Sequence, residues 1–139
     1  MKRVLAIDYG MRRIGLAVSD PLQIIATPLD TLRISNYDDG IKQLIAICEE
    51  HKPITIIMGY PIGISGNKTD QTRLVDKVIE SLKSSIDVPI ISWDERYTSI
   101  QAKDILKQQG RKARDDKGMV DQLAARIMLQ EYLDSRSST

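Results

Sequence analysis

The chain has 139 residues, 42% of them hydrophobic and 28% charged, and its 20 Lys and Arg nearly balance 19 Asp and Glu for a formal net charge of +1. That length and apolar share suit one folded domain over residues 1–139 and exclude a disordered chain, while the balanced charge excludes any prediction of a polyanionic partner from net charge alone. A single cysteine, Cys48, excludes an intramolecular disulfide and a cysteine-rich zinc site, and the apolar runs are far too short for a membrane span.

Met1-Lys2-Arg3 runs straight into the apolar run Val4 to Ile7, leaving no room for a signal peptide, so a cytoplasmic setting is expected. Val4 to Ile7 has the pattern of a strand buried on both faces, closed by the carboxylate of Asp8. Gly10 opens a turn, and Ile14 to Val18 returns beside the first strand as a hairpin. Ile24 to Leu32 has β character broken by Pro28 and reads as an edge-like third strand, completing an antiparallel meander. Asn36 caps a helix with Ile41, Leu44, Ile45 and Cys48 on its apolar face. Cys48 is therefore expected to be buried packing, and His51 to sit by the helix end, where it favours the dipole.

Pro53 stops that helix, and Ile54 to Met58 reads as a buried strand followed by the glycine-rich loop Gly59 to Lys68. The loop lacks the glycine-lysine-serine/threonine ending of a phosphate-binding P-loop, so it is either a lid over a site or a long turn. Thr69 or Thr72 opens the next helix, with Leu74, Val75, Val78, Ile79 and Leu82 on its inner side. Val88 to Trp93 reads as a third buried strand and ends in Asp94-Glu95-Arg96. Thr98 and Gln101 match a capping box for a helix running to Gly110. The basic stretch Lys107 to Lys117 holds five basic and two acidic residues, and a last helix carries Val120, Leu123, Ala124, Ile127 and Leu133. The expected fold is α/β: a five-stranded mixed sheet, with a three-strand antiparallel meander plus two parallel strands, flanked by helices.

Asp8, Glu95 and Asp121 come from three separate elements, and in such sheets ligands bind beyond the carboxyl ends of the strands. Three carboxylates gathered in a dry cleft repel one another, and a divalent cation removes that penalty. Oxygen ligands without Cys or a usable His point to Mg²⁺ or Mn²⁺ and to metal-assisted phosphodiester hydrolysis. Asp20, Asp94 and Asp116 are the competing acids, with turn or capping roles. Lys117 lies four residues before Asp121, so on a common helix both share a face, where the lysine would hold a phosphate or the attacking water. Arg96 follows Glu95 and should point to the opposite side, toward a structural salt bridge. Arg12 and Arg13 at the first turn, with Lys107, Arg111, Lys112 and Arg114 in the basic stretch, are the expected contacts to nucleic-acid phosphates. Six aromatic residues and no Phe leave little for a base-stacking platform, so phosphate contacts should dominate over base readout.

Four segments in this order resemble the YqgF family of Holliday-junction-resolvase-like proteins. They are Asp8-Tyr9-Gly10 with Ile14-Gly15-Leu16-Ala17, Gly59-Tyr60-Pro61 with Gly66, Asp94-Glu95-Arg96-Tyr97-Thr98, and Lys117 through Asp121-Gln122-Leu123-Ala124-Ala125. The resemblance implies a ribonuclease H-like fold and catalytic acids at Asp8, Glu95 and Asp121. It also implies a nuclease of the small-subunit ribosomal RNA precursor, acting at the 5′ end of pre-16S rRNA during ribosome biogenesis, with the ribosome or its precursors as partners. One departure lies at Gly63-Ile64-Ser65, where the family loop usually carries an asparagine and an acidic residue, so no substrate contact is assigned to this loop. Two alternatives accompany the nuclease reading: a non-catalytic RNA-binding assembly factor, and a resolvase acting on branched DNA. An actin-like ATPase also opens with Asp-x-Gly and a hairpin, but closes two such domains around its nucleotide, and this length allows one.

Overall fold

The computed structural model describes residues 2–63, 65–94 and 117–137, without the side chains of residues 117–121 and 137. Its elements in chain order are β1 (Val4–Tyr9), β2 (Arg13–Ser19), β3 (Ala26–Arg33), α1 (Tyr37–His51), β4 (Thr55–Tyr60), α2 (Asp70–Ser85), β5 (Ile90–Asp94) and α3 (Lys117–Ser137). The five strands form one sheet in the order β3-β2-β1-β4-β5. β1, β2 and β3 pair antiparallel, and β4 and β5 join parallel to β1, so the expected meander-plus-parallel architecture is the one observed. The helix read from Thr98 to Gly110 and the basic stretch as far as residue 116 lie outside the described residues.

Alternation along the strands divides the core into two layers. On one face Leu5, Ile7, Ile14, Leu16, Ile56 and Met58 pack against Leu44 and Cys48 of α1 and Val75, Val78 and Leu82 of α2. On the other, the smaller Ala6, Ala17 and Ala26 join Val4 and Ile57 under Ala125, Met128, Leu129 and Leu133 of α3. The alanines let α3 lie close on the sheet. Cys48 is buried as expected, and burial pushes its thiol up to about 11, so it is packing and not a nucleophile.

Local chemistry explains the boundaries. Asn36 caps α1 by accepting from the Asp39 N–H at 2.8 Å. α1 stops at Lys52, a left-handed residue (φ 48°) whose N–H donates to the Cys48 carbonyl, and Pro53 follows that stop. Thr69 and Thr72 open α2 together as a capping box. Asp20 takes the turn role read for it: its carboxylate accepts from the N–H groups of Leu22, Ile24 and Ile25. Those bonds, chiefly from Ile25 and Ile24, hold its pKa below the ordinary carboxylate range.

One expectation changes, and one reading left open narrows. Val88 to Trp93 is not a buried strand: β5 starts at Ile90, ends the sheet, and leaves Ile91 38% exposed. Its apolar run resembled a buried one because Ile90 and Trp93 do pack inward, while the edge position leaves the middle open. The loop after β4 is held as a turn. Ile62 bridges to Lys68, the Gly63 N–H donates to Asn67, and Gly66 takes φ 85°. Asp76 of α2 then accepts from the Tyr60 hydroxyl at 2.7 Å and from Lys68 at 2.8 Å, and the Thr72 hydroxyl donates to the Pro61 carbonyl.

Candidate functional site

Asp8 stands one residue from the end of β1, on the face covered by α3, in line with Val4 and Ala6. Its antiparallel neighbour is Gly15. On its other side, β4 pairs through Ile7 with Met58, so the next step of that register sets Gly59 beside Asp8. Gly59 in turn pairs with Trp93 of β5. Across four strands this row reads Gly15, Asp8, Gly59, Trp93. The only ionisable side chain in the row is therefore flanked by two residues with no side chain. Trp93 walls the far side and meets the Tyr132 ring of α3 edge-on, 5.8 Å between centroids.

The hairpin next to Asp8 is pinned at both sides. The Gly10 N–H donates to the Arg13 carbonyl at 2.9 Å, and the Ile34 N–H donates to the Arg12 carbonyl at 3.0 Å. The glycine serves this tight turn: a Cβ at position 10 would sit 2.7 Å from the Arg13 carbonyl oxygen. Asp8, Gly10, Met11, Arg12 and Arg13 line a cleft of about 120 Å³. A broader groove of about 600 Å³ opens on the other side of the hairpin, between Arg12, Arg13 and Met11 and the start of α1 at Asn36 and Tyr37. Met11 projects from the tip, 76% exposed, and borders both.

α3 covers this face of the sheet. Its Gln130 side chain accepts from the Ala26 N–H and donates to the Ile24 carbonyl, at the end of the sheet where β1 begins. Ala125, more than a turn earlier, is still fully buried on the sheet. Lys117 and Asp121 lie in the first turns of the same helix, with Asp121 one turn before Ala125.

Of the predicted site residues, Asp8, Arg12 and Arg13 meet at one cleft, and Lys117 and Asp121 occupy the first turns of α3. Glu95, Lys107, Arg111, Lys112 and Arg114 lie outside the described residues, as do Arg96 and Asp116. Asp94 ends β5 at the same carboxyl edge as Asp8. Among the described residues no three of His, Cys, Asp and Glu gather as a metal cage. What Asp8 offers is a single oxygen donor with glycines on both sides, a setting suited to a hard cation completed by acids from other elements. Sequence reasoning missed the pairing of Gly15 and Gly59 around Asp8, because strand order is a property of the assembled sheet.

Comparison with known proteins bears on the family and the fold. The family model RuvX, described as Holliday junction resolvase, matches residues 2–135. A relative from Dictyoglomus turgidum, named "Putative pre-16S rRNA nuclease", is 42% identical over 97% of this chain and 96% of its own length. A relative of the same name from Thermosynechococcus vestitus is 40% identical over 100% of this chain and 92% of its own. Among solved structures, T. thermophilus RuvC in complex with a Holliday junction substrate superposes with a TM-score of 0.63 at 14% identity, covering 100% of this chain and 98% of that one. Fowlpox virus resolvase, in complex with Holliday junction DNA, gives 0.58 at 12% identity over 96% and 98%. At those identities the likeness concerns the fold, which is that of the resolvases and hence ribonuclease H-like. With a family model spanning nearly the whole sequence and relatives above a third identical end to end, the chain belongs to the RuvX family.

Proposed function

We propose that this protein is a divalent-metal-dependent nuclease that hydrolyses phosphodiester bonds of structured nucleic acid, with the 5′ end of pre-16S rRNA in the bacterial cytoplasm as its substrate. The observation that carries the reading is Asp8: a carboxylate at the carboxyl end of the central strand, between two glycines, with an arginine-bearing hairpin beside it. Asp8, Glu95 and Asp121 would hold Mg²⁺ or Mn²⁺. An ion held there would offset the repulsion of the acids and supply Lewis-acid polarisation of the scissile phosphate. Asp8 contributes accuracy, because its backbone pairs with Gly15 of β2 and follows directly on the β1–β4 ladder that ends at Ile7. Lys117, four residues before Asp121 on α3, holds a substrate phosphate or orients the attacking water. Arg12 and Arg13 neutralise the incoming backbone, and Lys107, Arg111, Lys112 and Arg114 extend that grip. The names of the relatives support RNA as the substrate. The family description supports branched DNA as the second reading.

The test is cleavage of a pre-16S rRNA 5′ fragment and of a four-way DNA junction, each with Mg²⁺, with Mn²⁺ and with chelator, and with product ends mapped. Metal-dependent cleavage of the RNA at defined positions is expected. Cleavage of the junction alone would move the assignment to branched DNA. Binding of RNA without cleavage under any metal would leave an assembly factor.

A further inference from the structure

We propose that Arg33 of β3 and Arg13 of β2 form a phosphate clamp beside Asp8, which takes the backbone of the bound nucleic acid. The two residues are direct cross-strand partners. Arg13 lies two positions from Gly15, the neighbour of Asp8, so alternation puts both arginines on the Asp8 face. Directly opposed side chains start roughly 5 Å apart at Cβ. A phosphate between two guanidinium groups accepts paired charge-assisted hydrogen bonds from both.

A defect in the sheet creates the pair. Between Leu16↔Leu29 and Ile14↔Leu32, two steps on β2 are spanned by three on β3. This is a bulge, a device that re-aims side chains. Without the extra residue Arg13 would face Leu32, and a leucine would point to the Asp8 side. With it, Leu29 and Leu32 both stay against the core under α1 and α2, and Arg33 comes opposite Arg13. The bond from the Ile34 N–H to the Arg12 carbonyl locks this register immediately beyond the strand. Arg33 is exposed, so its guanidinium is accessible to a ligand.

The clamp rests on the nucleic-acid reading above, and binding in chelator separates it from catalysis. Affinity of the full chain for a four-way DNA junction and for a hairpin RNA is measured against salt concentration, with melting temperature recorded for each variant. Arg33→Gln should weaken binding by about tenfold and shallow the salt slope by roughly 0.7 to 0.9, the value of one phosphate contact. Its melting temperature should hold, since Arg33 is an exposed side chain. Arg33→Lys should restore the slope. Lys42→Gln, the same charge change on α1 across the sheet, should leave it unchanged. A larger effect on the junction or on the hairpin identifies which backbone the clamp takes. An unchanged slope in Arg33→Gln overturns the clamp, as does a lowered melting temperature with no rescue by lysine. Failure of the unmodified chain to bind either probe overturns the clamp together with the nucleic-acid reading. Normal clamp behaviour without cleavage in any metal overturns only the nuclease assignment.

Discussion

The two faces of the sheet are built differently. Under α1 and α2 the inward positions are large: Leu5, Ile7, Ile14, Leu16, Ile56 and Met58 meet Leu44, Val75, Val78 and Leu82. Under α3 the corresponding positions are Ala6, Ala17 and Ala26, and toward the carboxyl edge they become Gly15, Asp8 and Gly59. The first face maximises buried apolar area, the main source of stability. The second thins its side chains until a charged group has room at one end. The residues proposed to act therefore gather at one end of the face under α3, across the sheet from the larger core, and a substitution should affect mainly one property according to its place.

The strongest break in that division is Asp8→Asn. It keeps the shape of the side chain but removes the charge from the glycine-flanked position. Cleavage should fall on the order of a thousandfold, with melting temperature equal to or above that of the parent. A single-turnover assay beside a thermal melt checks both halves. Activity within tenfold of the parent would remove Asp8 from the catalytic set.

Leu44→Ala is the counterpart on the other face. Leu44 is fully buried, and the change should cost about 2 to 5 kcal/mol in denaturant unfolding, with cleavage per folded molecule little altered. Gly10→Ala should cross the division. Its new Cβ would meet the Arg13 carbonyl oxygen at 2.7 Å, so the hairpin must shift and carry Asp8 and the arginines with it. Roughly 1 to 3 kcal/mol of stability should go together with a drop in activity. Loss of stability alone would show that Asp8 is held independently of the turn.

The smallest effect belongs to Asp76, remote from both faces. Asp76 pairs at 2.8 Å with Lys68, whose side chain is half exposed, so removing the pair should lower the melting temperature only slightly. Chiefly the Lys68 ammonium, with the Tyr60 hydroxyl, lowers the Asp76 pKa. A lowered carboxyl pKa gives stability that is present above the unfolded value of 3.8 and lost as pH falls through the folded one. The Tyr60 and Lys68 pKa values are raised, chiefly by hydrogen bonding to Asp76, so their share is lost as pH rises through those values, above 10. Melting temperature against pH should therefore fall less steeply at the acid end in Asp76→Asn than in the parent, and an identical slope would show the pair contributes nothing.

Strand and helix identities were largely written in local patterns. The apolar runs at Val4 and Ile54, the cap at Asn36, the threonines ahead of α2 and the helical spacing around Leu44 and Val78 each act over a few residues. The chain therefore determined by itself the meander, the parallel strands, the burial of Cys48 and the closing carboxylate Asp8. Other features depend on which residues become neighbours. That β5 lies at the edge follows from strand order, which an apolar run does not encode. The glycines at 15 and 59 matter because the sheet sets them on either side of Asp8. The described part of the loop after β4 is held as a turn because α2 presents Asp76 and Thr72 to it. Arg33 reaches the Asp8 face only through one extra residue in β3, and since side chains alternate with a period of two, a single bulge exchanges the faces of everything beyond it. Local propensity selects the elements; register, which couples residues distant in the chain, decided what surrounds the carboxylate.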